Sequence, residues 1–326
     1  MTAEWKHKIF DGKKGDFNDL ALDVFGFQYH HNPVYRAYTD ALGIKPELVT
    51  KVGQIPFLPI GFFKTHVVKT TDFEPEKVFE SSGTTGMVNS LHYVKSTGLY
   101  EESFTRGFEA VYGPVTDWCI IGLLPSYLER SGSSLVYMTD RLIQRSRHPE
   151  SGFYLYEYDK LFDILTILEA QQQPTLVIGV TFALLDFAEK YRLPLKYTIL
   201  METGGMKGRR KEMVRPEVHA AIQLSFGPAP IHSEYGMTEM LSQAYSKGEG
   251  VFHCPPWMKV LLRDDEDPLQ VRSFGSGVIN VIDLANIYSC SFIATDDVGK
   301  LYPDGSFEVL GRIDGSDMRG CGLMVV

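Results

Sequence analysis

The sequence predicts an α/β protein with a smaller antiparallel β portion near its C-terminal end. From residue 78 to residue 224, apolar runs of strand length alternate with segments whose apolar residues recur at helical spacing. Strands separated by helices of ten or more residues need crossovers, so this region should hold a largely parallel sheet. After Gly250 the pattern changes to short β-like runs, joined in one case by the turn Pro303-Asp304-Gly305.

The individual elements follow from these patterns. Strands are predicted at residues 118–124, 153–158, 175–180 and 197–201. Helices are predicted after Ser96 and at residues 135–143, 159–171, 182–191 and 216–224. The C-terminal β runs are residues 258–262, 278–282, 291–294 and 307–310. Residues 1–70 are rich in aromatic side chains and show no clear period, so we expect an irregular or helical segment packed on a larger body.

The chain therefore divides, in sequence order, into three segments. These are an N-terminal segment at 1–75, an α/β nucleotide-binding core at 76–250, and an antiparallel β portion at 251–326. A length of 326 residues suits two domains or one large α/β domain. We expect the three segments to form a single functional unit.

Composition narrows the classes of partner and compartment. The net charge of −9 argues against nucleic acid, because phosphate binding needs a basic surface. No stretch reaches the roughly 18 apolar residues of a membrane helix, so no membrane partner is expected. The four cysteines include no CxxC pair and no spacing typical of zinc. Reduced thiols and a cytoplasmic location are the expectation.

The most informative motif is Glu80-Ser81-Ser82-Gly83-Thr84-Thr85-Gly86. Glycines let backbone N–H groups approach an anion, and hydroxyl groups donate to phosphate oxygens. The motif differs from the P-loop pattern, since no lysine follows directly. Taken alone, it fits a phosphate-binding loop and a flexible Ser/Gly turn equally well.

Three later segments favour the phosphate-binding interpretation. Glu202-Thr203-Gly204-Gly205 follows a predicted strand, where a parallel sheet presents its carboxyl edge to ligands. The other two are the run from His232 to Glu239 and the run from Ala294 to Gly299, which precedes Gly311-Arg312-Ile313-Asp314. In this order, the segments resemble the adenylate-forming superfamily of acyl-CoA synthetases, firefly luciferase and peptide-synthetase adenylation domains. The resemblance covers residues 79–320 and implies the large N-terminal adenylation domain of that fold.

Within the superfamily, the chain is most similar to the acyl-protein synthetases of bacterial bioluminescence. The stretches that carry this similarity are residues 32–35, 57–64, 124–134 and 311–321. The resemblance implies an AMP-forming acid–thiol ligase that uses ATP and Mg²⁺. Its substrate would be a carboxylic acid, most simply a fatty acid, which becomes an acyl-adenylate before the acyl group passes to a thiol.

The superfamily's roles transfer onto matching positions of this sequence. Thr238 should contact the α-phosphate, and Glu239 should hold Mg²⁺, a cation that prefers carboxylate oxygen. The other implied ATP contacts are Ser81, Ser82, Gly83, Thr84, Thr85 and Gly86 for the β- and γ-phosphates, Gly204, Gly205, Tyr235 and Gly236 for the adenine, and Asp297 and Arg312 for the ribose.

One departure concerns the catalytic lysine of larger relatives, which lies in a mobile C-terminal domain. This chain stops at Val326, just after the hinge motif, so we expect that domain to be absent. Candidate substitutes are Lys64, Lys207, Arg209 and Arg319, although residues 207–211 fit a solvated basic turn equally well. A partner subunit that supplies the cation is a further alternative.

The acyl acceptor is open on the sequence alone. Cys321 lies between glycines, and the nearby Arg319 would favour the reactive thiolate. The resemblance implies that a cysteine near this end accepts the acyl group, but an inert thiol fits as well. Two alternatives to a self-acylating ligase are an ATP-binding partner subunit without turnover and an acyl- or aryl-CoA ligase that uses CoA as acceptor.

Overall fold

The computed structural model of the chain describes residues 2–12, 17–82, 88–125, 129–204, 213–264 and 266–313. These residues form two compact units. Unit 1 contains the described residues of 2–104, 236–243 and 253–313, and unit 2 contains those of 105–235 and 244–252. The N-terminal residues and the C-terminal β strands thus belong to one unit, although they lie far apart in the sequence.

The helices and strands, in chain order, are as follows. The α-helices are α1 (Thr2–Asp11), α2 (Phe17–His31), α3 (Pro33–Ala41), α4 (Phe62–Thr65), α5 (Thr97–Tyr112), α6 (Ser134–Ser146), α7 (Tyr158–Ala170), α8 (Thr181–Lys190) and α9 (Arg215–Phe226). The strands are β1 (Leu58–Pro59), β2 (Lys77–Glu80), β3 (Leu91–Val94), β4 (Cys119–Leu123), β5 (Gly152–Phe153), β6 (Thr175–Gly179), β7 (Thr198–Glu202), β8 (His232–Tyr235), β9 (Ala244–Ser246), β10 (Val251–Phe252), β11 (Met258–Arg263), β12 (Val271–Arg272), β13 (Gly275–Asp283), β14 (Phe292–Leu301) and β15 (Phe307–Arg312).

Unit 2 is the predicted α/β portion. Its sheet has the strand order β5-β4-β6-β7-β8-β9, in which β8 and β9 run antiparallel and the other neighbours run parallel. Every residue of β4 and β6 is buried, as expected for strands covered on both faces. Apolar side chains from α7, α8 and α9 complete the hydrophobic core.

Unit 1 contains the predicted antiparallel portion. Its strands follow the order β15-β14-β13-β11-β12, and β1 pairs in parallel with β14. The turn between β14 and β15 contains Gly305 at φ 86°, a left-handed conformation that glycine adopts without strain. A separate antiparallel pair, β2 and β3, flanks the Ser/Thr/Gly motif.

The N-terminal segment, predicted as irregular or helical, is largely helical, because it contains α1, α2 and α3. The apolar residues that face inward, among them Val24, Phe25 and Tyr35, are interrupted by Asn32-Pro33, which ends one helix and starts the next. Asn32 caps α3 by accepting a hydrogen bond from the Tyr35 backbone N–H at 3.0 Å. This break hides the helical period in the sequence.

Among the described residues, no helix combines the length and the apolar character needed to cross a membrane.

Candidate active site

The Ser/Thr/Gly motif lies between two antiparallel strands, not between a strand and a helix. The ends of the connection are fixed by Ser81 and Ser90. The Ser81 backbone N–H donates to the Ser90 carbonyl at 3.1 Å, and the Ser90 backbone N–H donates to Ser81 Oγ at 2.8 Å. Ser82 is exposed next to this clasp, whereas Gly83, Thr84, Thr85 and Gly86 lie outside the described residues.

In unit 2, the glycine motif follows the carboxyl end of β7, where the sequence predicts it. Gly204 is buried and has φ 73°. Its N–H donates to Glu202 Oε2 at 2.7 Å, and its carbonyl accepts from the Thr181 backbone N–H at 3.0 Å. These bonds hold the backbone in a left-handed conformation that a side chain would strain. Gly205 lies outside the described residues.

Glu202 is the centre of a buried charged cluster in unit 2. Arg215 Nε donates to Glu202 Oε1 at 3.1 Å, and His219 Nε2 lies 3.9 Å from the same oxygen. Burial raises the pKa of Glu202, but the neighbouring His219 and Ser233 side chains, the Arg215 charge and the bond from the Gly204 N–H outweigh it, so the pKa is about 2. Glu202 is therefore ionised, and its charge fixes the turn at Gly204.

Tyr235 ends β8, the strand next to β7, and its side chain is almost fully buried. Its ring centroid lies 5.9 Å from that of Phe252, and the Arg215 guanidinium lies 5.2 Å from the Phe252 ring. Tyr235 and Gly204 thus belong to one continuous set of contacts through Phe252, Arg215 and Glu202. The two adenine contacts that the resemblance implies in unit 2 occupy adjacent strand ends.

In unit 1, Thr238 and Glu239 occupy the centre of a tight turn. The turn closes when the Met240 backbone N–H donates to the Met237 carbonyl at 3.1 Å. Gly236 and Thr238 are partly exposed, and Glu239 is fully buried. A turn of this kind presents its two central residues together, so the predicted α-phosphate and Mg²⁺ contacts are neighbours by geometry as well as by sequence.

Two fully buried side chains hold this turn through its backbone. His92, on β3, has Nδ1 at 2.7 Å from the Thr238 carbonyl oxygen, to which it donates. Asn286 donates from Nδ2 to the Glu239 carbonyl at 2.7 Å, and its Oδ1 lies 2.9 Å from His92 Nε2. Burial lowers the pKa of His92, and these polar partners together with the Glu239 charge oppose that effect.

Asp283 holds the residues that follow the turn. Its two carboxylate oxygens accept from the Leu241 backbone N–H at 2.7 Å and from Ser242 Oγ at 2.6 Å. Burial raises the pKa of Asp283 to about 6 despite these bonds. Side chains of unit 1 therefore hold residues 238, 239, 241 and 242.

Asp297 and Arg312, the two predicted ribose contacts, form an ion pair. They are opposite residues of β14 and β15, and Arg312 Nε lies 3.0 Å from Asp297 Oδ1. Both side chains are about nine-tenths buried. Strand pairing brings together two residues that lie fifteen positions apart in the sequence. Such a pair offers a carboxylate acceptor and guanidinium donors at one place, a suitable combination for hydroxyl groups.

Other predicted residues lie outside the described part of the chain. These are Cys321, Lys207, Arg209 and Arg319. Lys64 lies in α4 and is partly exposed. The structure also adds residues that the sequence analysis did not single out, namely His92, Asn286, Asp283 and Arg215. The sequence holds one signal for His92. It lies among apolar residues just after the phosphate motif, and a histidine buried there needs a polar partner.

Comparison with known proteins identifies the family. The chain matches the family described as "Acyl-protein synthetase, LuxE" over residues 7–326. The long-chain-fatty-acid–luciferin-component ligase of Vibrio harveyi is 21% identical over 330 residues, which cover 93% of this chain and 85% of that protein. The ligase of the same name from Photorhabdus luminescens is 34% identical over 73 residues, 22% of this chain and 62% of that sequence.

Solved structures with a similar fold are also adenylate-forming ligases. One complex of 2-hydroxyisobutyryl-CoA ligase has a TM-score of 0.71 at 14% identity, covering 96% of this chain and 70% of that one. ATP-bound MatB from Rhodopseudomonas palustris has a TM-score of 0.54 at 18% identity, covering 72% of this chain. The matched part spans 47% of MatB, about half its length. At these identities, the likeness concerns the fold.

The resemblance drawn from the sequence motifs is thus confirmed, as is the α/β fold class with its antiparallel β portion. The chain belongs to the acyl-protein synthetase, LuxE family, whose members are ligases of the AMP-forming kind.

Proposed function

We propose that this chain activates a carboxylic acid with Mg·ATP, releases pyrophosphate, and passes the acyl group of the acyl-adenylate to a thiol. Acid activation and the use of ATP follow from the family; the site residues, Mg²⁺ and the acceptor are the proposal. The observation that carries the proposal is the turn at Thr238 and Glu239, whose backbone is fixed by buried side chains.

The reaction needs positioning and charge compensation more than it needs a protein nucleophile. The substrate carboxylate oxygen bonds to the α-phosphorus, and the bond from that phosphorus to the bridging oxygen of pyrophosphate breaks. Thr238 would contact the α-phosphate at the centre of the turn. Ser81 and Ser82, with Gly83 to Gly86, would contact the β- and γ-phosphates that leave.

Mg²⁺ fits the chemistry of Glu239. This ion usually keeps several water molecules and binds through one or two carboxylates together with substrate phosphates. Asn286 donates to the Glu239 backbone carbonyl and so fixes this residue in the turn. We assign Glu239 as the protein ligand of Mg²⁺, which would neutralise charge on the phosphates.

The nucleoside contacts are proposed at the positions that the resemblance implies. Tyr235 would stack on the adenine, with Gly204, Gly205 and Gly236 along its edge. Asp297 and Arg312 would bind the ribose hydroxyls. Support comes from the strand-end position of Gly204 and Tyr235 in unit 2 and from the ion pair in unit 1.

The substrate proposed first is a long-chain fatty acid. The relatives from Vibrio harveyi and Photorhabdus luminescens are named as ligases of such acids. Aryl acids serve as the comparison group, because the sequence motifs do not identify the residues of the acyl pocket.

The adenylation step is tested by ATP–pyrophosphate exchange with Mg²⁺ and a panel of fatty and aryl acids. We expect exchange with at least one acid, and a loss of about 10²- to 10³-fold in Glu239→Ala, since charge compensation at the phosphates is removed. Glu47→Ala changes an exposed glutamate of the same unit and should keep wild-type exchange. Absence of exchange across the whole panel would overturn the proposal.

The acceptor is tested with Cys321→Ala and radiolabelled acid. If Cys321 accepts the acyl group, this variant keeps pyrophosphate release and loses covalent self-acylation. Acyl-CoA formed at the wild-type rate by Cys321→Ala would instead assign a CoA ligase. ATP binding seen as a rise in melting temperature, without turnover, would assign a nucleotide-binding partner subunit.

A further inference from the structure

We propose that His92 and Asn286 are positioning residues that hold Thr238 and Glu239 in place for Mg·ATP. The inference rests on the proposed function, because it assigns these residues to the same site. Neither residue would touch the nucleotide: each acts by donating to the backbone carbonyl of one central residue of the turn.

The backbone carbonyls of both central residues of the turn have a buried side-chain donor. Thr238 and Glu239 each receive one side-chain donor at 2.7 Å, at short distances for such bonds. Asn286 uses its second amide hydrogen on the Cys290 carbonyl at 2.8 Å, which fixes its Oδ1 toward His92. His92 and Asn286 are both almost completely buried, so water cannot replace either donor if one is removed.

His92 also lies close in the chain to the end of the phosphate loop. His92 lies on β3 only two residues after Ser90, whose backbone forms the clasp with Ser81 at the end of the phosphate loop. The same strand therefore holds the loop end through Ser90 and the turn through His92. The proposed β,γ-phosphate contacts and the proposed Mg²⁺ ligand are tied to one rigid element of unit 1.

The turn itself is closed by a backbone hydrogen bond, which the two side-chain donors supplement. The Met240 N–H donates to the Met237 carbonyl at 3.1 Å. Asp283 anchors Leu241 and Ser242 beyond it, but does not contact the carbonyls of Thr238 and Glu239. Outer residues that orient a metal ligand typically contribute about 10- to 100-fold to metal affinity or activity.

The test uses His92→Leu and His92→Asn. His92→Leu removes both polar atoms, whereas the amide of His92→Asn can place a donor where Nδ1 lies. We expect the KM for Mg·ATP to rise about 10- to 100-fold in His92→Leu and less in His92→Asn, with the KM for the acid unchanged. Asn286→Ser removes the other donor to the turn and should raise the same KM, so it provides the test if His92→Leu does not fold.

The matched control is Asn32→Ser. Asn32 is also a buried asparagine of unit 1 and donates to a backbone carbonyl, that of Ser289, at 2.9 Å. Its loss should lower the melting temperature while leaving the KM for Mg·ATP at the wild-type value. If His92→Leu and Asn286→Ser change the kinetics no more than Asn32→Ser does, the proposal is wrong.

Amide hydrogen exchange separates this proposal from the proposed function. Exchange at Met240, whose N–H closes the turn, should speed up in His92→Leu and Asn286→Ser but not in Asn32→Ser. The Leu241 N–H, held by Asp283, is the internal reference. If the wild type exchanges no pyrophosphate, the proposed function fails, but amide exchange still shows whether His92 and Asn286 hold the turn. Unchanged Met240 exchange in the variants would refute this positioning role even in an active enzyme.

Discussion

Two glutamates on neighbouring strands of unit 2 have opposite pKa shifts. Glu202 has a pKa of about 2, because the donors and the Arg215 charge around it exceed the effect of burial. Burial and then the Glu202 charge raise the pKa of Glu234 to about 8. One carboxyl is thus held ionised, and the other is held neutral at pH 7.

Glu234 should make stability depend on pH. Below pH 4.5 the folded and unfolded chains both carry the proton. Between pH 4.5 and 8 only the folded chain keeps it, so the free energy of unfolding falls as pH rises and levels off above about 8. Glu234→Gln should flatten this dependence and be more stable than the wild type at pH 8.5, as measured by urea unfolding at pH 5, 7 and 8.5.

The control for this prediction is Glu157→Gln, which changes an exposed glutamate of the same unit. It should follow the wild-type pH dependence. A Glu234→Gln variant with the same slope as the wild type between pH 5 and 8.5 would show that Glu234 does not carry the effect.

At the scale of residues, the sequence predicts site residues that lie in contiguous motifs, but not those that only the fold brings together. Tyr235, Glu239, Asp297 and Arg312 are recognisable because the motif around each one is contiguous. His92 and Asn286 are not, since they are 194 positions apart and meet only through the fold. The roles of the motif residues remain predictions until the variants above are measured.

At the scale of elements, Gly299 shows how tightly β14 fits between its neighbours. A Cβ atom at this position would lie 2.5 Å from the Glu308 carbonyl oxygen on β15 and 2.6 Å from Ile279 Cδ1 on β13. The side chain of Ile279 can shift, but the backbone oxygen belongs to the strand pairing. Glycine is therefore required here by close approach rather than by φ.

Gly299→Ala should lower the free energy of unfolding by about 1–3 kcal/mol, because it overpacks a strand that cannot move away. The contrasting variant is Gly26→Ala in the middle of α2, where a Cβ would meet nothing within 4 Å. Alanine is favoured over glycine in a helix interior by about 1 kcal/mol, so this variant should be more stable. Chemical denaturation measures both, and a neutral Gly299→Ala would contradict the packing argument.

Most elements of unit 2, and strands β11, β13, β14 and β15 of unit 1, could be predicted from their apolar runs. The predicted strand at 118–124 and the observed β4 (Cys119–Leu123) differ by only one residue at each end. The bounds of helices α1 to α3 could not be placed from the sequence, since a buried Gln28 and the Asn32-Pro33 break disturb the apolar period. Gln28 is buried for a long-range reason: its amide donates to the Ile287 carbonyl at 3.0 Å.

At the scale of the whole molecule, both units contain thiols whose pKa is raised by burial. The pKa is about 11 for Cys119 and about 12 for Cys290, both fully buried, and about 12 for Cys254, which is partly exposed. Since the thiolate is the nucleophile, these groups should react slowly with electrophiles at pH 8. Peptide mass spectrometry after iodoacetamide treatment should show little modification of all three in the folded protein and full modification in urea.

Fast modification of any of the three in the folded protein would contradict these pKa shifts. The result also matters for the acceptor test, because slow background reaction at these three positions makes acylation of Cys321 easier to assign. Cys119 belongs to unit 2, and Cys254 and Cys290 belong to unit 1. The measurement therefore reports on both units in one experiment.

The order of segments along the chain does not reveal the units themselves. Gln28 of α2 bonds to Ser291 at 3.2 Å across 263 positions, so the N-terminal helices and the C-terminal strands stabilise one another inside unit 1. Periodicity reports local structure and carries no signal for such pairings. The predicted boundaries near residues 75 and 250 stay a prediction about chain order.

The clasp between Ser81 and Ser90 has a consequence for how the family can diversify. Because the ends of the connection are fixed by backbone pairing of β2 and β3, the residues between them can change in number at small entropic cost, about 0.6 kcal/mol for each doubling of loop length. Phosphate affinity and folding stability are then separable properties. A library of loops inserted between Ser82 and Val88 could therefore be selected for nucleotide preference without compensating mutations that restore folding stability.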